Sequence, residues 1–143
     1  MSLRRCLWHK IGVVASETLR ILHLEDDPSD AYLARRAIEM SGLTSDITLV
    51  HSRAEFLAAL AQEPWDIVVA DNALPTFTSA EALALLRQRS PSTPFIVLSG
   101  AGEEDQIVAS LRDGAADYIL KDHLPQLVVS IHRLRLAAAQ GRA

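Results

Sequence analysis

Trp65-Asp66-Ile67-Val68-Val69-Ala70-Asp71 is the stretch on which the reading of the fold turns. Its centre, Ile67-Val68-Val69, is apolar at every position rather than at every second one, as expected of a strand covered on both faces in the middle of a parallel sheet. The strand is expected over residues 65–70, and the chain leaves it at an acid, Asp71. Downstream, a loop through Pro75 reaches Thr78-Ser79-Ala80-Glu81, a capping box that opens a helix carrying Ala82, Leu83 and Leu86. Ser90-Pro91-Ser92-Thr93-Pro94 breaks that helix. A fourth strand is predicted over residues 95–98, followed by Ser99-Gly100-Ala101-Gly102. The next helix opens with Glu103, Glu104 and Asp105, acids suited to the positive end of a helix dipole, and stops at Gly114. Asp117–Leu120 form a fifth strand ending at Lys121, and a last helix over residues 124–138 turns Leu127, Ile131 and Leu134 inward.

Upstream the same alternation holds. Leu19–Leu24 form the first strand, and the helix after it is expected to face Leu33, Ala34, Ala37 and Ile38 inward, with Gly42 at its close. Asp27 precedes Pro28, which suits a helix cap followed by a proline in the first turn. A weaker strand over residues 47–50 leads to Ser52-Arg53-Ala54-Glu55, a second capping box, and Pro64 ends that helix. Strand and helix alternate five times, the signature of a parallel sheet wrapped by helices.

A chain of 143 residues is the size of one domain, able to remove about 68–70% of its unfolded surface from water. It is 49% hydrophobic and 22% charged, too apolar for disorder. Its net charge of −4, with no long basic run, argues against direct binding of nucleic acid. Cys6 is the only cysteine, which excludes an internal disulfide and fits a cytoplasmic, reducing location. No apolar run approaches the roughly 20 residues of a membrane span. The organisation expected is a flexible N-terminal extension over 1–18, one domain over 19–138, and a tail or linker start over 139–143.

The polar residues at the strand ends carry the chemistry. Glu25 and Asp26 follow strand one, Asp71 strand three, Ser99 strand four and Lys121 strand five. In a parallel sheet all lie on the carboxyl edge, where ligands bind at the point where strand order reverses. With the order 2-1-3-4-5 that point lies between strands one and three, so Asp26 and Asp71 become neighbours, flanked by Ser99 and Lys121. Singly, Lys121 reads as a surface lysine, Ser99 as a turn residue and Glu25 and Asp26 as rim acids; their convergence gives them another meaning. Close carboxylates repel by roughly 4 kcal/mol per pair at an effective dielectric near 20, and a hard cation such as Mg²⁺ (or Mn²⁺) relieves this. Lys121 offers a point charge and Ser99 a hydroxyl to phosphoryl oxygens, which fits phosphoryl transfer with Asp71 as nucleophile.

Leu22-His23-Leu24-Glu25-Asp26-Asp27-Pro28, Asp71-Asn72-Ala73-Leu74-Pro75, Leu98-Ser99-Gly100 and Tyr118-Ile119-Leu120-Lys121 together resemble the receiver domain of two-component response regulators. The resemblance covers about residues 19 to 138 and implies a flavodoxin-like doubly wound (βα)5 fold. It implies that Asp71 accepts a phosphoryl group from a partner histidine kinase or phosphotransfer protein. Asp26, Asp71 and the Ala73 backbone carbonyl would hold Mg²⁺, with Glu25 acting through a water. Lys121 and Ser99 would contact the phosphoryl oxygens, and Tyr118 would follow Ser99 and pass the change to helix four, strand five and helix five. A downstream output protein or fused domain would read that surface, and the last helix could contribute to a phosphorylation-dependent homodimer. The chain departs from the family's common pattern with Asp122, not proline, after Lys121, with Ser79 in place of glycine, and with the short side chain of Ala73.

Two other readings compete. A receiver-like domain could serve interactions without phosphorylation, which the full set of Asp26, Asp71, Ser99 and Lys121 argues against. A phosphatase with an aspartyl-phosphate intermediate would need a second Asp two residues after the nucleophile, where Ala73 stands. A kinase would need a glycine-rich nucleotide loop, which the sequence lacks.

Overall fold

The computed structural model describes residues 18–62, 64–72, 74–100, 102 and 105–141. Residues 1–17 of the expected N-terminal extension, Ala73, Glu103 and Glu104 lie outside the described residues. The elements run β1 (Leu19–Leu24), α1 (Pro28–Met40), β2 (Ser45–Val50), α2 (Arg53–Leu60), β3 (Ile67–Asp71) and α3 (Ser79–Arg89). They continue with β4 (Phe95–Ser99), α4 (Asp105–Arg112), β5 (Asp117–Leu120), a 3₁₀ turn (Lys121–His123) and α5 (Leu124–Gly141). The strands form one sheet in the order β2-β1-β3-β4-β5, and every pairing is parallel. This is the doubly wound fold expected from the alternation of elements.

The unbroken apolar run of β3 has the consequence expected of it: every residue of the strand is buried. Successive side chains point to opposite faces. Val68 joins Leu22, Phe56, Leu83, Leu86 and Phe95 in one core layer, whereas Ile67 and Val69 join Ile21, Ile38, Ile96, Leu127 and Ile131 in the other. The outer strands are less covered, and β2 buries only Val50 fully.

Several local expectations shift by a residue or a partner. Asp71 is itself the last residue of β3, paired with Leu98 of β4, and β2 begins two residues before the expected start. Leu33, expected inward, is half exposed at 50%, because the buried stripe of α1 is Ala31, Ala34 and Ile38, and Leu33 lies off that line. Ser52 caps α2 by accepting from the Glu55 amide, but the Glu55 carboxylate accepts from the His51 amide rather than closing a box on Ser52. The Thr78 and Glu81 box is complete. Gly42 and Gly114 adopt positive φ angles of 88° and 108° where α1 and α4 end, a backbone region open to glycine.

Candidate functional site

Strand register builds the site. Leu24 pairs with Ala70, so the next residues, Glu25 and Asp71, emerge side by side from β1 and β3. Asp71 pairs with Leu98 and Ser99 with Leu120, which sets Ser99 and then Lys121 one step further along the same edge. Glu25, Asp71 and Ser99 are all buried, whereas Asp26 is exposed. One carboxylate oxygen each of Glu25, Asp26 and Asp71 lie within 4.8 Å of one another. All the predicted acids of the site therefore converge.

Lys121 reaches across this cluster. Its Nζ is 3.2 Å from Asp71 Oδ1, 3.1 Å from Glu25 Oε1 and 2.7 Å from Asp30 Oδ2. The aligned hydrogen bond goes to Asp30; the Glu25 contact is ionic, and among the described residues Glu25 Oε1 has no hydrogen-bond partner of good geometry. Burial alone would lower the Lys121 pKa, but the hydrogen bond to Asp30 and the charges of Asp71 and Glu25 outweigh it and raise the pKa above its ordinary value. The ammonium stays charged throughout the neutral range.

The Glu25 pKa is raised as well, which favours its neutral form. Burial pushes its carboxyl up to about 7; the amide of Asp27, donating to Oε2 at 3.1 Å, opposes this, the Asp71 carboxylate adds to it and Lys121 counters it. His23, buried on β1 two residues before Glu25, is pushed down to about 4 by burial, with Lys121 adding to the effect. It is neutral at pH 7.

The flanking groups complete the edge. The Ser99 side chain is fully buried, and its Oγ has no hydrogen-bond partner among the described residues. A buried hydroxyl left unpaired costs about 1–3 kcal/mol, a cost tolerated where a ligand completes the bond. Tyr118 is half-buried and packs against the core layer that contains Val97 and Phe95. Asp27 caps α1 as expected, its Oδ1 accepting from the amides of Ser29 at 2.8 Å and Asp30 at 3.4 Å. Ser79, which stands where the resemblance expects glycine, opens α3 and donates to Asn72 Oδ1 at 2.7 Å, tying both ends of the loop after Asp71 together. The peptide between Lys121 and Asp122 is trans and leads directly into the 3₁₀ turn.

Reading the sequence missed Asp30. The signal was present in part: the Asp27-Pro28 cap sets the phase of α1 and makes Asp30 its third residue, in the first turn. That the first turn of α1 faces Lys121, 91 residues away, is a tertiary fact.

The carboxylate donor set fits a hard divalent cation. Clustered carboxylate oxygens, one of them exposed to water, suit an ion that keeps several waters.

The chain matches the response regulator receiver domain family over residues 21–132. It is 35% identical over 124 residues to the transcriptional regulatory protein TcrA of Mycobacterium tuberculosis, which covers 86% of this chain and 47% of that protein. It is 32% identical over 98 residues to the transcriptional regulator NtrC of Escherichia coli, covering 68% of this chain and 20% of that protein. The chain thus spans less than half the length of either relative. Its fold superposes, with a TM-score of 0.71 and 20% identity, on the receiver domain of the Pseudomonas aeruginosa sensor histidine kinase PA1611, whose structure has magnesium in the active-site cleft. That match covers 83% of this chain and 98% of the other. No described helix is long and apolar enough to cross a membrane. With its strand order, its acidic edge and this match over most of its length, the chain belongs to the family of response regulator receiver domains.

Proposed function

We propose that this domain is a phosphoryl-accepting signalling switch with Asp71 as the acceptor. The observation that carries the reading is the meeting of Asp71 with Lys121 at 3.2 Å beside the Glu25 and Asp26 carboxylates. Asp71 is buried, sits at the end of the central strand and is flanked by both a cation and further acids. Its carboxylate oxygen attacks phosphorus as the bond to the donor histidine nitrogen breaks, and the phosphoryl group passes to Asp71.

Asp26, Asp71 and the Ala73 carbonyl would hold Mg²⁺, with Glu25 acting through a water, and the ion would neutralise charge on the phosphoryl oxygens. Lys121 Nζ turns from its carboxylate partners to one phosphoryl oxygen. Ser99 Oγ, without a partner among the described residues, donates to another. Tyr118, packed beside β4, follows Ser99 and shifts the balance between two packings of the α4, β5 and α5 surface. A histidine kinase or phosphotransfer protein supplies the phosphoryl group, and an output protein or fused domain reads the altered surface.

The test is phosphorylation by acetyl phosphate with Mg²⁺, followed by intact-protein mass spectrometry. One added phosphoryl group on the wild type and none on Asp71→Asn are expected. Equal yields from both, or none from a folded wild type, overturn the assignment and favour a domain that works through protein contact alone.

A further inference from the structure

The shortest contact of Lys121 is with Asp30, a carboxylate from α1 and not from any strand end. Asp30 is also the most accessible of the three partners: its side chain is 34% exposed, against 1% for Glu25 and 4% for Asp71. It stands in the first turn of α1, at the positive end of the helix dipole, and its amide donates to the Asp27 cap. An ammonium has three N–H bonds, and the described neighbours of Lys121 Nζ are three carboxylates. An anion that takes the hydrogen bond Lys121 gives to Asp30 therefore competes with that carboxylate for the ammonium.

Glu25 and Asp71 are buried at the ends of β1 and β3. Asp30 lines a cleft together with Glu25, Lys121, Leu33, Leu98 and Leu124 and, as the most exposed of the three carboxylates, is the partner most easily returned to water. We infer that Asp30 is a positioning residue that holds the Lys121 ammonium by its hydrogen bond in the resting state and competes with the incoming phosphoryl group for it. The inference rests on the receiver reading above and assigns to α1 a setting of phosphoryl affinity that the strand-end residues alone would not supply.

Releasing Lys121 makes the pocket a better anion receptor. Asp30→Asn keeps the shape and removes the competing charge, so it is expected to bind beryllofluoride, a phosphoryl analogue, about five-fold more tightly at saturating Mg²⁺, the scale of a partly exposed ion pair. Asp122→Asn removes the same charge from an exposed residue beside Lys121 and serves as the control. Isothermal titration of the folded wild type and both variants with beryllofluoride reads the effect, with circular dichroism to confirm the fold and Asp30→Ala as the second variant should Asn fold poorly. Tighter binding by the Asp30 variant alone supports the inference. Unchanged or weaker binding by it, or an equal gain from Asp122→Asn, overturns it while leaving the receiver reading intact. A folded wild type that binds no beryllofluoride overturns both.

Discussion

Lys121 Nζ lies within 3.2 Å of Glu25, Asp30 and Asp71, and one ammonium cannot balance the charge these groups would carry together. The site holds part of its imbalance as a shifted proton equilibrium on Glu25, raised to about 7 chiefly by burial. Two residues earlier, His23 is shifted the other way, to about 4, again chiefly by burial. Their contributions to stability have opposite signs. The depressed His23 contributes stability that is complete above its unfolded pKa of about 6.5 and is lost as pH falls towards 4. The raised Glu25 contributes stability that is complete below about 4.5 and is lost as pH rises towards 7. Without divalent ions, the urea midpoint of the wild type should vary little between pH 4.5 and 6.5. In His23→Leu it should fall with rising pH, and in Glu25→Gln it should rise. Parallel curves for all three proteins would contradict this pairing. Ser99 gives a second prediction. Its buried Oγ lacks a partner among the described residues, so Ser99→Ala should leave the urea midpoint unchanged or higher while lowering the yield of phosphorylation by acetyl phosphate. A large loss of stability would mark Ser99 as structural instead.

At the scale of elements, the caps carry much of the local specification. In α3 the Thr78 hydroxyl accepts from the Glu81 amide at 3.1 Å and the Glu81 carboxylate accepts from the Thr78 amide at 2.9 Å. Thr78→Ala should cost about 1 kcal/mol, measured by urea unfolding. Hydrogen bonds from Thr78 hold the Glu81 carboxyl below its ordinary pKa, so the contribution of Glu81 is present above its unfolded pKa and disappears as pH falls through the lower folded value. Glu81→Gln should remove that part of the acid sensitivity. The Thr78 and Glu81 box was legible because both partners lie three residues apart. Glu55 carried the same spacing, yet its carboxylate turns to His51, whose ring Nδ1 also lies 3.0 Å from the Glu25 carbonyl. A cap motif specifies where a helix starts more firmly than which amide each oxygen takes. Leu33 shows the same limit for helical faces, since the sheet selects the Ala31, Ala34 and Ile38 stripe and leaves Leu33 beside the cleft near Lys121.

At the scale of the whole molecule, acids from β1 and β3 meet only when the sheet is complete, so a cation bridging them should stabilise the fold as a unit. Mg²⁺ at a hundredfold excess over its Kd should add about 2.7 kcal/mol to the unfolding free energy. Asp26→Asn should abolish most of that increment, and a calorimetric melt with and without Mg²⁺ measures it. No upward shift in the melting temperature of the wild type would remove the cation from the proposal. Leu127 and Ile131 fasten α5 over the same sheet and are fully buried. Leu127→Ala should cost about 2–5 kcal/mol by opening a cavity under α5.

The amino-acid sequence by itself determined the order and type of the elements, because burial on both faces of β3 demands an unbroken apolar run and helix ends demand caps written in neighbouring residues. It also determined which residues stand at the carboxyl edge, since an acid that ends a parallel strand has no other edge to occupy. The register that sets Glu25 beside Asp71, the bond between Ser79 and Asn72, and the approach of Asp30 to Lys121 were decided by the tertiary structure. These contacts join residues whose distance in space is set by sheet twist and by the packing of α1 on the sheet, and no local pattern in the chain encodes that distance.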